Sequence, residues 1–312
     1  MRILSPIDRP SEVDALADAG ADELYGGYVP ASWRRKYSLL GCANHRYFKN
    51  AQIETKKDLE TLIRAARRRG VKFYLALNSP YYTPAQYEDI VKDAARMDAL
   101  GVDGFIISDI GLILRIRDTL PHAAVHLSTL GTVMNKESAR FFAGMGVRRI
   151  VLPRELTVSE IAGIVRANQG VEFDSFVMIG KCPNIEGFCT FTHNSPGLVW
   201  PCEVHYDTRI ISGDESAKRI IEAQRQWSLV NRRQACGLCA IPGLANAGIT
   251  SLKIVGRGGP AAAKVRAVEA VRDMLAMADA GSAAFEAAAR ERYASVFGRE
   301  CNPYICYFPA SV

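Results

Sequence analysis

The stretch Leu100-Gly101-Val102-Asp103-Gly104-Phe105-Ile106-Ile107-Ser108-Asp109 decides the fold class. Gly101 stands where a preceding helix should stop, because glycine takes the left-handed C′ conformation without a Cβ clash. Phe105-Ile106-Ile107 is an apolar run of the length of a buried parallel strand. Polar Ser108 and Asp109 follow where such a strand would emerge. The same cadence returns along the chain. Ala19-Gly20-Ala21 precedes Glu23-Leu24-Tyr25, Arg69-Gly70-Val71 precedes Phe73-Tyr74-Leu75, Met145-Gly146-Val147 precedes Ile150-Val151-Leu152, and Ala247-Gly248-Ile249 precedes Leu252-Lys253-Ile254.

Helix starts interleave with these runs. Thr83-Pro84 reads as an N-cap and first helical residue, Thr157-Val158-Ser159-Glu160 as a capping box, and Thr55 with Asp58 as a third start. Strands are expected near Ile3–Ser5, Glu23–Tyr25, Phe73–Asn78, Phe105–Ser108, Val125–Ser128, Arg149–Leu152, Phe173–Ile179 and Ser251–Val255. Eight strands alternating with helices favour a closed α/β barrel, a (β/α)8 TIM-like fold, with a doubly wound open sheet as the alternative. About seventy residues separate the last two strands, far more than an ordinary crossover needs. The expected organisation is a barrel over 1–282 with a cysteine-bearing insertion over 181–246, then a C-terminal helix and tail over 283–312, irregular from Cys301 onward.

The chain has 312 residues, 48% hydrophobic and 23% charged, with a net charge of +6. That is enough apolar material for one large core. No apolar run is long enough to span a membrane, and the N-terminus turns polar too soon for a signal peptide, so the expected location is cytoplasmic. The excess of positive charge suits a basic enzyme surface or a polyanion such as RNA. The arginines 64, 67, 68 and 69 read as a solvated helix end. The segment around Cys42, with Trp33, Arg34, Arg35, Lys36, Tyr37, His45 and Arg46, is basic and aromatic and reads as a cover for the barrel mouth or an RNA patch.

In a barrel of this kind the active site lies at the C-terminal ends of the strands. Asn78, Ser108 with Asp109, Ser128 with Thr129, Arg154 with Glu155, Lys181 and Arg257 fall there. Eight cysteines are many for a reducing compartment, where clustered thiols lean toward metal or redox chemistry. Cys182, Cys189, Cys202, Cys236 and Cys239 lie close in sequence, the last two as C-x2-C. Spacing alone leaves an iron–sulfur cluster, a structural zinc ion and plain buried cysteines open. There is no H-E-x-x-H motif and no Ser/His/Asp elbow, so a peptidase would need an unusual site.

Phe176-Val177-Met178-Ile179-Gly180-Lys181-Cys182, then Cys189, Leu238-Cys239 and Ser251-Leu252-Lys253-Ile254-Val255-Gly256-Arg257, resemble the signature of the collagenase-like peptidase family U32. His126-Leu127-Ser128-Thr129, Val151-Leu152-Pro153-Arg154-Glu155-Leu156-Thr157 and the stretch from Ala19 to Gly27 agree with it. The resemblance implies a 4Fe-4S cluster with Cys182, Cys189, Cys202 and Cys239 as ligands and Cys236 in reserve. Cys42, Cys301 and Cys306 fall outside that set and read as bystanders, a second metal site or a replacement ligand. The resemblance implies oxygen-independent hydroxylation with prephenate as oxygen donor, and a related partner subunit. Arg154, Glu155, Arg257 and Asn78, all at strand ends, are the catalytic candidates, and the two arginines would suit a dicarboxylate such as the implied prephenate. The expected substrate is a small or lipidic aromatic such as a ubiquinone precursor, because RNA-acting members tend to be longer. RNA hydroxylation and metal-dependent peptidase activity are the alternatives. Met178, Ile179-Gly180-Lys181 and Glu186 depart from the family pattern, which usually has His, Gly-Ala-Leu and Ser there.

Overall fold

The computed structural model describes residues 1–37, 43–46, 49–182, 184–188, 215, 218, 233–278 and 282–308. Eight strands pair in parallel and close into a barrel: β1 Arg2–Pro6, β2 Glu23–Gly26, β3 Lys72–Leu77, β4 Gly104–Ile107, β5 Val125–Leu127, β6 Arg149–Val151, β7 Glu172–Met178 and β8 Ser251–Ile254. The seam is the pairing of β8 with β1, in the register Ile3↔Leu252. A doubly wound sheet has no such seam, so the closed (β/α)8 reading holds.

The helices are α1 Val13–Ala19, α2 Ala31–Tyr37, α3 Lys56–Arg68, α4 Pro84–Leu100, α5 Ile110–Thr119, α6 Lys136–Gly144, α7 Val158–Ala167, α8 Ile241–Asn246, α9 Ala261–Ala276 and α10 Ser282–Phe297. Their ends follow the sequence chemistry. The Thr55 hydroxyl accepts from the Asp58 amide at 3.0 Å, and Thr157 and Glu160 form a reciprocal capping box. Gly20 and Gly101 end α1 and α4 with φ of 106° and 94°.

Strand residues alternate between two environments. Ile3, Leu24, Phe73, Phe105, Val125, Ile150, Phe173 and Leu252 join the large core beneath the helices. Leu4, Tyr25, Tyr74 and Ile106 form a separate cluster inside the barrel. The interior also holds charge. Arg149, 1% exposed, donates to Glu23 at 2.6 and 3.0 Å and to Glu172 at 2.8 Å. These residues begin their strands, so the network plugs the end of the barrel opposite the expected site.

Two stretches are tied to the barrel by contacts that the sequence reading did not specify. Residues 236–246, the end of the expected insertion, pack against the outside of the barrel. Cys236 bridges Met178 of β7, and α8 packs beside α7 before the chain enters β8. The tail is irregular from Cys301 onward, as expected, but it is anchored to the barrel. α10 extends to Phe297, and Cys306 then makes a parallel bridge to Cys236. The Cys236 amide donates to the Ile305 carbonyl at 3.0 Å, and the Tyr307 amide to the Cys236 carbonyl at 2.9 Å. Ile305, Tyr307 and Phe308 are buried as a result. Among the described residues, no helix is long and apolar enough to cross a membrane.

Candidate active site at the barrel mouth

β6 ends at Val151, and after Leu152 and Pro153 the chain brings Arg154 to the barrel mouth. Its guanidinium stands 3.6 Å from the centre of the Phe176 ring on β7 and is ion-paired to Glu186. The Arg154 amide also donates to Glu186 at 3.3 Å, and the Glu186 amide donates to the Glu155 carboxylate at 3.0 Å. Arg154, Glu155 and Glu186 are therefore one unit. Burial, and then the Glu186 charge, push the Glu155 carboxyl above its ordinary range. The Arg154 Nε atom is buried and has no hydrogen-bond partner, which leaves one directed donor. Cys182 lies within the same charge environment. Burial and Glu186 push its thiol up to about 12, with Arg154 pulling the other way.

Across the mouth, Arg257 follows β8. Its Nη2 atom donates to Asn44 at 3.0 Å and to the Ala51 carbonyl at 2.7 Å. A Cβ on Gly27, just after β2, would run into this guanidinium, so glycine there makes room for it. Asn44 and Gln52 exchange hydrogen bonds at 2.9 and 3.0 Å. Asn78, just after β3, donates to the Ser128 hydroxyl at 3.2 Å and accepts from the His45 amide at 3.2 Å. Residues 43–46 are thus tied to both Asn78 and Arg257 at the mouth, as a cover would be. The aromatic part of that segment serves packing: Trp33 is 2% exposed and lies against Tyr37 and Tyr82. Arg34 is spent on the Val29 carbonyl.

Beneath the mouth, Tyr25 donates to the Ile254 carbonyl at 2.9 Å and feels the charges of Arg257, Arg154 and Arg46. Lys253 holds its ammonium 3.8 Å from the Tyr25 ring, buried and without a hydrogen-bond partner. Burial pulls its pKa down to about 8. His126 packs on Tyr74 with ring centres 4.3 Å apart, and burial keeps its imidazole neutral. The sequence reading overlooked this polar interior. The signal was a charged or polar residue inside an apolar run, as in Ser251-Leu252-Lys253-Ile254.

Of the expected ligand set, Cys182 stands beside Arg154, while Cys239 faces Cys306 and Cys301. Cys189 and Cys202 lie outside the described residues, as does Cys42. Among the described residues, no three His, Cys, Asp or Glu side chains converge tightly enough to hold a single metal ion. Cys236, Cys239, Cys301 and Cys306 instead line one cavity of about 130 Å³.

The sequence profile of Peptidase family U32 matches residues 8–310. The chain belongs to that family. Among its relatives in the family is the tRNA hydroxylation protein P of Escherichia coli K12, 29% identical over 187 residues, or 60% of this chain and 38% of that one. The 23S rRNA 5-hydroxycytidine C2501 synthase of the same organism is 27% identical over 64% of this chain and 30% of its own length. A protein named collagenase from Porphyromonas gingivalis W83 is 24% identical over 82% of this chain and 60% of its own. The chain therefore spans less than two thirds of each of these relatives.

Proposed function

We propose that this U32 protein acts in the hydroxylation of RNA, with a 4Fe-4S cluster as its cofactor. The observation that carries the reading is its similarity to proteins named for tRNA and rRNA hydroxylation. The electrostatics of the mouth support it. Arg46, Arg154 and Arg257 are all near enough for their charges to act on Tyr25, which suits a phosphate-bearing chain entering from the strand ends. This replaces a ubiquinone-type aromatic as the leading substrate.

Each mouth residue has a role in the proposal. Arg154, held by Phe176 and Glu186, presents its Nε–H to an anionic oxygen of the substrate or of a carboxylate oxygen donor. Prephenate is the donor that the family resemblance implies. Arg257 fixes the cover segment through Asn44 and so sets the depth of entry. Asn78 orients the same segment from the other side. Glu155, whose carboxyl burial and the Glu186 charge push above its ordinary range, is the group placed to take up or give a proton beside Arg154. The donor chemistry fits an iron–sulfur cofactor, since such clusters are held by four thiolates and four thiols share one cavity. When bound, the cluster supplies one-electron chemistry that side chains lack.

The test is nucleoside mass spectrometry of tRNA and rRNA from a strain lacking this gene. One hydroxylated nucleoside should disappear and return with the wild-type gene, but not with the R154A variant. Unchanged RNA, with an unhydroxylated quinone precursor accumulating, would move the substrate to the small-aromatic class. Gelatin digestion by the purified protein would favour the peptidase reading instead.

A further inference from the structure

Two lysines are buried among the described residues, and their surroundings differ. Lys264 is matched by Asp8 at 2.5 Å and Glu12 at 2.8 Å. Among the described residues Lys253 has no such match: its Nζ is covered, makes no hydrogen bond, and rests over the Tyr25 ring at 3.8 Å. A buried amine without a partner is costly to keep charged, and such groups cluster at functional sites. Lys253 is the penultimate residue of β8, and the β7–β8 register sets it beside Phe176. Phe176 is the ring that carries the Arg154 guanidinium at 3.6 Å. Lys253 and Arg154 thus share one aromatic floor at the strand ends, where this fold places its chemistry. Lys253 is 5% exposed and the Arg154 side chain 10%, and each keeps one donor without an acceptor, Nζ and Nε.

The surroundings favour a neutral amine. Burial lowers the proton affinity of Lys253, and the charges of Arg149 and Arg154 act the same way, against Asp174 and Glu23. A lysine that is desolvated and set near other cations becomes a nucleophile. Asp174 supplies the matching base. Neither of its oxygens is hydrogen-bonded, burial raises its carboxyl, and of all the charges around Lys253 it acts most strongly. Burial therefore draws the two groups together in proton affinity, so a proton moves from one to the other at little cost.

We infer that Lys253 is a catalytic amine that condenses with the oxo group of a small 2-oxo acid whose carboxylate is held by Arg154. The two donors select that class. A neutral amine calls for a carbonyl carbon, and a guanidinium N–H calls for a carboxylate oxygen. Because both donors flank Phe176, the two groups have to be neighbours in the ligand. This rests on the reading of Arg154 as the contact for a carboxylate oxygen donor, and deepens it. The step balances without an oxidant. Asp174 takes the ammonium proton. The nitrogen lone pair forms a C–N bond as the C=O π bond opens, and an N–H proton passes to the oxygen to give a carbinolamine. The C–O bond then breaks, and the oxygen leaves as water with the proton that Asp174 returns. One ammonium and one carbonyl have become one protonated imine and one water.

The test traps the imine. The full chain, purified without oxygen, is incubated with pyruvate and sodium cyanoborohydride, then read by intact mass and peptide mapping. We expect a single reduced pyruvyl adduct, on Lys253. K253R keeps a cation but has no reactive amine, and should lose the adduct. Acetone, which has the carbonyl but no carboxylate, should label far less than pyruvate, and R154K should label less than wild type. Should K253R fail to fold by circular dichroism, the wild-type map decides, because a surface reaction falls on exposed lysines such as Lys56 and Lys57. No adduct, or adducts on exposed lysines that persist in K253R, overturns the role of Lys253. Equal labelling by acetone, or undiminished labelling of R154K, overturns the pairing with Arg154 and the 2-oxo acid class with it. Any of these results in a protein that does hydroxylate RNA leaves the proposed function standing. A Lys253 adduct in a protein whose deletion leaves RNA unchanged upholds the amine and overturns the RNA reading.

Discussion

The guanidinium of Arg154 stands 3.6 Å from the centre of the Phe176 ring, clamped between the end of one strand and the face of the next. Glu186 completes the clamp, and the two charged side chains are only 10% and 6% exposed. Removing one member of a buried pair strands the other, at a cost of about 3–5 kcal/mol. R154A should therefore lower thermal stability markedly, and R154A/E186S should recover much of the loss. R154K keeps the charge but gives up the planar contact with Phe176. It should melt close to wild type yet fail to restore the hydroxylated nucleoside. Full activity in R154K would remove Arg154 from the substrate contacts.

Gly27 allows a test of Arg257 that leaves the arginine in place. G27A should push the guanidinium off Asn44 and the Ala51 carbonyl. Its effect on RNA hydroxylation should match that of R257A. The check is nucleoside analysis of both variants in one complemented strain. An active G27A beside a dead R257A would show that Arg257 works without this anchorage.

Lys264 on α9 is 1% exposed and reaches Asp8 at 2.5 Å and Glu12 at 2.8 Å. Asp8 in turn accepts from the Gly258 amide at 2.7 Å, so this buried trio also fixes the loop that carries Arg257. K264M leaves two carboxylates without their cation. We expect a loss of about 3–5 kcal/mol in denaturant unfolding. K264M/D8N/E12Q should be less destabilised than K264M alone. Additive losses in that series would show that the three side chains do not act as a unit.

Asp174 gives the barrel a pH signature. It lies inside with neither oxygen hydrogen-bonded, and Arg149 Nε is 3.6 Å away. Burial pushes its carboxyl up to about 7, against the pull of Arg149 and Lys253. The folded value is thus above the unfolded one, about 3.9. Its contribution to stability is complete below about pH 4 and is lost as pH rises through about 7. D174N cannot titrate. The melting temperature of wild type should fall relative to D174N across that window, and parallel profiles would show that Asp174 ionises normally.

The local parts of this fold were readable from the sequence. Gly20 and Gly101 end helices because their backbones turn left-handed, Thr55 and Thr157 start helices because their side chains cap free amides, and at Thr83 the Gln86 side chain reaches back to accept from the Thr83 amide. Both are decided within a few residues. The polar interior was not found, although Glu23, Arg149, Asp174 and Lys253 interrupt apolar runs. A parallel strand read as dry on both faces hides such residues, and only closure of the barrel shows that they face one another. Glu186 was visible as a departure from the family pattern, but its partner Arg154 is thirty-two positions away. The tail was the hardest part. Cys301 to Phe308 has no periodicity, and its place depends on a bridge to Cys236 from seventy residues further along the chain.

The seam between β1 and β8 joins residues about 250 positions apart. On the ribosome, the first strand has to wait, one edge bare, until β8 has emerged. Such long-range pairings form late and leave partly assembled states open to aggregation. The Cys236–Cys306 bridge waits longer still, since its second half is made after the seam. Biogenesis is therefore ordered: the barrel must shut before the tail can dock beside Cys236, and no contact made by the tail can help the early strands to pair.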